Sequence, residues 1–173
     1  MATTRHHDQN FKNLILDYPQ DAIAFFAPAE SQHTAEPGVR IVPVREEQLK
    51  ENLHNSHREL DTPLLVEWPD GRRAALLFAF EEETQPRRFS VHRLAHYCLD
   101  LAELFETDRV VPVVIFLHAG SFVRELHLGG DHADYLSFRF LYLSLHDTPA
   151  RDHLSSPNLV ARLNLPNMRY APQ

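Results

Sequence analysis

Four acidic residues in the middle of the chain have types and a spacing that could support catalysis. Asp61 stands at the start of one apolar segment, and Glu81, Glu82 and Glu83 follow the next one, with Glu81 twenty positions after Asp61. Carboxylates that lie close together repel one another, and a divalent cation removes that conflict. Mg²⁺ and Mn²⁺ favour such oxygen ligands, completed by water and phosphate, and can activate the bound water. The pattern therefore predicts a metal-binding acidic cluster.

The segments that carry these acids are predicted to form a β-hairpin. Residues 60–68 and 74–80 are apolar and β-favouring, and the second is continuously apolar, as expected of a strand buried on both faces. Between them, Pro69-Asp70-Gly71 suits a type I turn followed by a glycine bulge. Such a loop pairs Trp68 with Arg72.

This loop length predicts the register of the acids. Counting back from the turn places Asp61 opposite Ala79. Side chains alternate between the two faces of a sheet, so one face is expected to carry Asp61, Ala79, Glu81 and Glu83. Asp61 and Glu81 then become diagonal neighbours, roughly 7–8 Å apart at the backbone. A different loop length would move Asp61 to the other face.

The remaining patterns predict an α/β fold with a central mixed sheet of about four or five strands flanked by helices. Helices are expected over residues 8–27, 45–58 and 88–105, and further strands over 110–117, 122–126 and 138–145. Asp8 is a candidate N-cap, and Pro19 should interrupt the first helix. Residues 29–60 are otherwise polar and irregular, and helical pieces are expected over 154–168.

Composition limits the class of protein. The 173 residues suit one domain, and the single cysteine, Cys98, excludes a disulfide framework and a Cys-based zinc site. No apolar run approaches the ~18–20 residues of a membrane span, and the polar N-terminus lacks a signal-peptide core. We therefore expect a cytoplasmic protein with no membrane association. The net charge of −7 argues against DNA binding through global charge, although a local basic groove remains compatible with it.

The acidic pattern resembles that of the PD-(D/E)XK nucleases. In that superfamily an Asp opens one strand, and a Glu-x-Gln or Glu-x-Lys motif ends the next strand before a helix. Here the corresponding residues are Asp61 and Glu81-Glu82-Glu83. The resemblance implies a restriction-endonuclease-like core.

Further motifs narrow the resemblance to the family of recombination-promoting nucleases (Rpn) and transposase-like proteins. Asp8 and Phe11-Lys12 match its first helix, and Arg93 and Tyr97 match the helix after the Glu, with Arg93 twelve residues beyond Glu81. Three later segments are similar as well: residues 111–116, 138–142 and 156–161. The resemblance implies one nuclease-like domain over residues 1–173, with a core at about 8–145 and a helical C-terminal extension at 146–173.

The resemblance also implies a function, a Mg²⁺- or Mn²⁺-dependent DNA endonuclease linked to recombination or mobile elements. Asp61 and Glu81 would ligate the metal, and the backbone carbonyl of Glu82 would complete its shell. Glu83 would ligate metal or position water, and Lys12 would supply a cation. Cleavage of both DNA strands needs two sites, which a homodimer would provide.

Supporting residues have two readings each. Arg93, Tyr97 and Arg88 would contact the substrate phosphate, or Arg93 and Tyr97 would instead buttress the sheet. Lys12 could reach the site or be solvated, and Asp8 could support the metal shell or cap its helix.

One departure from the family separates two hypotheses. Glu83 stands where a Gln or Lys is expected, and it could act as a ligand or general base but not as a cation. Shifting the motif to Glu83-Thr84-Gln85 restores Glu-x-Gln but shortens the gap to Arg93 to ten residues. The alternative to an enzyme is therefore a catalytically degenerate homologue that binds DNA or a protein. A domain that needs a partner for DNA affinity would also fit the negative charge.

Basic residues and histidines add weaker expectations. Positive potential beside the acids could come from four arginines, Arg72, Arg73, Arg87 and Arg88, or these could be dispersed surface arginines. The pairs His54/His57 and His92/His96 have spacings that could chelate zinc, but neither has an evident third ligand. His127 and residues 131–134 are expected to form a hydrophilic loop.

Overall fold

The computed structural model describes residues 4–44, 62–81 and 89–170, with the backbone alone at 4–10, 80 and 81. The helices are α1 (Thr4–Asp17), α2 (Pro19–Phe26), α3 (Pro28–Thr34), α4 (Val91–Leu104) and α5 (Leu159–Leu163). The strands are β1 (Arg40–Pro43), β2 (Thr62–Glu67), β3 (Arg73–Glu81), β4 (Val110–Phe116), β5 (Glu125–Gly129), β6 (Asp134–Arg139) and β7 (Leu141–Ser144). None of the helices in these ranges is long and apolar enough to cross a membrane.

Five strands form a mixed sheet in the order β1-β2-β3-β4-β7. The pairs β1–β2 and β2–β3 are antiparallel, whereas β3–β4 and β4–β7 are parallel. All residues from Ala74 to Ala79 are buried, which makes β3 the central strand covered on both faces. The prediction of an α/β fold with a mixed sheet of four or five strands flanked by helices is confirmed.

The side chains of β3 alternate between two core layers. Phe78 belongs to the layer that contains Ile15 of α1 together with residues of α2 and α5. Leu77 and Ala79 belong to the layer beneath α4, with Leu101 at its centre. Each face of the sheet is therefore closed by helices, and α1 and α4 cover opposite faces.

The N-terminal helices follow the predicted break but not the predicted start. α1 ends at Asp17 and α2 begins at Pro19, where a missing backbone N–H costs nothing. Asp8 lies one turn inside α1, so the prediction that it caps this helix is wrong, because the backbone is already helical from Thr4.

The segment after α2 was expected to be irregular, and that expectation is wrong for its first part. Pro28 starts the short helix α3, in which a proline at the first position is favourable. The helix ends at the buried Thr34, whose hydroxyl donates to the Ser31 carbonyl at 3.0 Å. The helix predicted at 45–58 lies outside the described residues.

The C-terminal strands differ from the prediction in number and place. The segment 138–145 was expected to be one strand, but it divides at Phe140 into the end of β6 and the strand β7. The strand expected at 122–126 begins only at Glu125, and β5 and β6 form a separate two-stranded ribbon. His127 lies in β5 and Asp134 in β6, so the loop prediction is wrong for both. The polar outer face of this ribbon resembles a loop in sequence, whereas Leu126 on its inner face is buried.

The C-terminal helical pieces are confirmed and are fixed to α2. Asn158 caps α5 by accepting from the N–H of Ala161 at 2.9 Å, and its amide donates to the Asp21 carbonyl at 2.8 Å. The Asp21 carboxylate in turn accepts from the N–H of Leu159 at 2.9 Å. These bonds join residues 137 and 138 positions apart and hold the extension against the core.

Candidate active site

The turn between β2 and β3 has the predicted geometry. The N–H of Trp68 donates to the Arg72 carbonyl, and the N–H of Gly71 donates to the Trp68 carbonyl, both at 3.0 Å. Gly71 has a φ of +87°, the left-handed conformation that the bulge position requires. Trp68 is thus paired with Arg72, as the loop sequence predicted.

The strand register follows from this turn. The described pairs run from Glu67 opposite Arg73 to Thr62 opposite Phe78, which is the register predicted from the turn. Glu81 is the last residue of β3, and its backbone lies opposite Phe116 of the parallel neighbour β4. Asp61, Glu82 and Glu83 lie outside the described residues, as do Thr84, Gln85 and the pair His54/His57.

The helix α4 carries the two residues expected near the substrate. Ser90 caps this helix by accepting from the N–H of Arg93 at 3.3 Å. Arg93 is half-buried, whereas Tyr97, one turn later, is only 1% exposed and belongs to the layer that contains Ala79. This burial favours a buttressing role for Tyr97 over contact with a phosphate. Arg88 lies outside the described residues.

Lys12 belongs to the other side of the sheet. It follows Phe11, which is packed in the α1 layer with Leu64 and Phe78, and is itself half-buried. The structure therefore separates Lys12 from Ala79 and α4 by the thickness of the sheet. Asp8 lies on the same helix as Lys12, one turn earlier.

Arg72 and Arg73 lie far from Glu81, which favours the alternative that they are dispersed surface arginines. They stand at the start of β3, and Glu81 ends it eight residues later; at ~3.3 Å per residue this is roughly 26 Å. That separation exceeds the Debye length of about 8 Å at physiological salt. Arg87 and Arg88 lie outside the described residues.

An aromatic cluster beside the end of β3 was not identified from sequence. Phe116, the backbone partner of Glu81, stacks on Phe122 with ring centroids 3.9 Å apart. Phe140 and Tyr142 continue the cluster, and the Arg124 guanidinium lies 5.0 Å from the centre of the Tyr142 ring. The aromatic alternation at positions 138, 140 and 142 was the available signal, but it indicated a strand and a similarity to the family rather than a cluster of rings.

The described ranges were compared with the ligand requirements of a metal ion. Within 4–44, 62–81 and 89–170, no group of three or more His, Cys, Asp or Glu side chains could hold a metal ion. His92 and His96 are exposed on α4, and no third ligand joins them there. The described part of the chain thus offers no support for a zinc site at this pair.

In comparisons with protein-family models, curated proteins and solved structures, nothing matches this chain.

Proposed function

We propose that this protein is a metal-dependent DNA endonuclease that hydrolyses phosphodiester bonds and acts in recombination or on mobile elements. The observation that carries the proposal is the β2–β3 register, which agrees with the turn-based prediction at all six described pairs. The proposal extends this register by one residue, to Asp61 opposite Ala79. On that extension Asp61 and Glu81 become neighbours on adjacent strands.

The order of elements supports a restriction-endonuclease-like core as the finer fold. The strand that ends in Glu81 is followed by the helix α4 and then by the buried strand β4, which lies parallel beside it. Ala79, two residues before Glu81, lies in the layer beneath α4. The proposed acidic face would then be the one that α4 covers.

The donor set fits a hard divalent cation. Asp61 and Glu81 would hold Mg²⁺ or Mn²⁺ through carboxylate oxygens, and the Glu82 carbonyl would add a third oxygen. When bound, the ion would activate water and stabilise negative charge on the phosphodiester. Glu83 would act as a general base that takes the proton from the attacking water, or as a further ligand of the metal.

Substrate contacts would come from the α4 side. Arg93 lies on the helix that covers the Ala79 face, so it is better placed than Lys12 to contact a phosphate. Tyr97 would support this helix by packing, in accord with its burial. Arg88, which precedes α4, keeps its predicted phosphate contact.

The test is cleavage of supercoiled plasmid in Mg²⁺ or Mn²⁺, with calorimetric titration of Mn²⁺ alongside. Asp61→Asn and Glu81→Gln should each reduce the cleavage rate at least about 100-fold, since even residues that only hydrogen-bond to a metal ligand contribute roughly 10–100-fold. Glu103→Gln, the same charge change on the exposed side of α4, should leave the rate unchanged. If the parent protein neither cleaves the plasmid nor binds Mn²⁺, the proposal that it is an enzyme is wrong.

The alternative function is a catalytically degenerate homologue that binds DNA or a protein, and Glu83 in place of Gln or Lys is the observation that favours it. A non-catalytic DNA-binding protein would bind duplex DNA with an affinity that falls steeply as the salt concentration rises. It would cleave no DNA in the presence of Mg²⁺ or Mn²⁺. Cleavage that Asp61→Asn abolishes would exclude it.

A further inference from the structure

A pocket lies at the turn end of the hairpin, at the opposite end of β3 from Glu81. It is an open pocket with a volume of about 290 Å³, and it is bordered by the start of β1, the end of β2 and the turn itself. Gly38 and Pro69 form one wall, where a Cβ on Gly38 would lie 2.9 Å from the Pro69 ring. The volume is at the lower end of the ~300–1,000 Å³ of small-ligand sites.

The charged lining of this pocket is predominantly basic, in a chain whose net charge is −7. Arg40, Arg72 and Arg73 line it together with one carboxylate, Glu67. Asp70 lies outside the lining and binds Arg72, so three guanidiniums still exceed two carboxylates. The excess attracts anions to this end of the molecule.

One guanidinium is already held in place. Arg72 Nε lies 2.6 Å from the Asp70 carboxylate, and its Cζ lies 5.3 Å from the centre of the Trp68 ring. The bond from the Arg72 N–H, followed by that from its guanidinium, lowers the pKa of Asp70 below its ordinary value. Arg109 also stacks over Trp68, at 4.9 Å. A guanidinium that is fixed before binding loses less entropy when it meets a ligand.

Trp68 itself is a rigid support. It is 5% exposed, and its indole N–H donates to the His33 carbonyl at 3.1 Å. The ring therefore cannot serve as an open stacking surface for a base. It instead orients the cations around it.

The other two lining arginines can turn towards a ligand. Arg40 and Arg73 share Glu67 at 3.9 and 3.6 Å, distances longer than those of direct charge-assisted hydrogen bonds. Their side chains are 75% and 49% exposed. An incoming anion would need to displace only these loose contacts.

We propose that this pocket binds the phosphate group of a small phosphorylated molecule of about mononucleotide size. Arg40 and Arg73 bind the phosphate oxygens through their planar N–H donors, and Arg72 adds fixed positive charge. Glu67 competes with the ligand for the same two arginines. The site is independent of the proposed nuclease chemistry, because the turn and the end of β3 lie at opposite ends of the hairpin.

The test uses Trp68, the single tryptophan of the chain, as the reporter. Its fluorescence is followed during titration with inorganic phosphate, a nucleoside monophosphate or a DNA duplex, with NaCl at matched ionic strength as the blank. A saturable response to phosphate and to the monophosphate is expected. Arg40→Gln and Arg73→Gln should each weaken binding about tenfold or more, since a hydrogen bond to a charged group contributes ~1.5–3 kcal/mol.

Two further variants control the interpretation. Arg151→Gln makes the same charge change at an exposed residue outside the pocket lining and should bind like the parent. Glu67→Gln should tighten binding, because the competing carboxylate is lost. A phosphate response no larger than that to NaCl, or equal binding by the folded Arg40→Gln and Arg73→Gln variants, would overturn the proposal. A fluorescence response to the DNA duplex alone would contradict the proposal that the ligand is a small phosphorylated molecule.

Discussion

The two ends of the β2–β3 hairpin perform different tasks. The turn end is a network of local bonds, in which Trp68 pairs with Arg72, Gly71 adopts a positive φ and two arginines stack on the Trp68 ring. The far end carries the acids on which the proposed chemistry depends. Because every residue of a strand keeps the register that its turn imposes, the turn determines which residues meet at the far end. A short loop thereby positions side chains roughly 26 Å away.

The two ends also differ in charge. Guanidiniums gather at the turn, whereas in the sequence the carboxylates Asp61 and Glu81 to Glu83 stand at the ends of the two strand segments that are away from the turn. For the proposed DNA substrate, positive potential must therefore come from elsewhere than Arg72 and Arg73. Arg93 lies on α4, which covers the layer that contains Ala79, and Arg124 lies beside the aromatic cluster around Phe116, the backbone partner of Glu81.

The largest expected effect is at the turn end. Trp68→Ala should lower the free energy of unfolding by about 3–5 kcal/mol, because it removes a buried aromatic side chain. Urea denaturation followed by far-UV circular dichroism measures it. Trp68→Phe, which keeps most of the buried area but loses the bond to His33, should cost only about 1 kcal/mol. If Trp68→Ala lowers the free energy of unfolding by less than about 1 kcal/mol, the turn end does not anchor the hairpin.

A smaller effect isolates the backbone of the turn. Gly71→Ala should destabilise the protein by about 1–2 kcal/mol, because a residue with a Cβ is strained at a φ of +87°. The strain is in the backbone alone, since no neighbouring atom lies within 4 Å of the added Cβ. Gly130→Ala is the matched control, because its φ lies outside the positive region and its nearest neighbour is 4.0 Å away. Its change should stay within about 0.5 kcal/mol. Equal effects at the two glycines would show that the bulge is not what holds the register.

The smallest effect is expected at Thr62, at the end of the hairpin away from the turn, where a substitution should raise the free energy of unfolding. The hydroxyl of Thr62, next to Asp61 in sequence, is buried and has no hydrogen-bond partner in the described part of the chain. Thr62→Val should therefore raise the free energy of unfolding by about 1 kcal/mol. Thr34→Val should lower it by a similar amount, because that hydroxyl bonds to Ser31 and Gln20. A destabilised Thr62→Val would show that its hydroxyl has a partner near the acids.

Local patterns predicted the hairpin well. The residues Pro69-Asp70-Gly71 favour one turn conformation by themselves. The continuous apolar run after them indicates a strand covered on both faces. The helix α4 was equally evident, since Leu94, Tyr97, Cys98 and Leu101 recur at helical spacing and are all buried. In each case the signal lies within a few neighbouring residues.

Structural features that depend on contacts between residues distant in sequence were predicted less well. Nothing local distinguishes the outer face of the β5–β6 ribbon from a loop, because His127 gains its partner Asp134 of β6 only when the strands pair. The division of 138–145 at Phe140 likewise depends on β7 joining β4 and β6 joining β5. The aromatic cluster around Phe116 assembles from three separate segments.

The sequence by itself determined the turn, the register that follows from it and the placement of Glu81 at the end of a central strand. It could do so because turn conformation and strand alternation depend on adjacent residues. Only the tertiary structure decided that Lys12 and Arg93 lie on helices covering opposite faces, that Tyr97 is buried and that Arg72 and Arg73 surround a pocket with Arg40. Those relations arise from the packing of helices and strands distant in sequence, which no local pattern encodes.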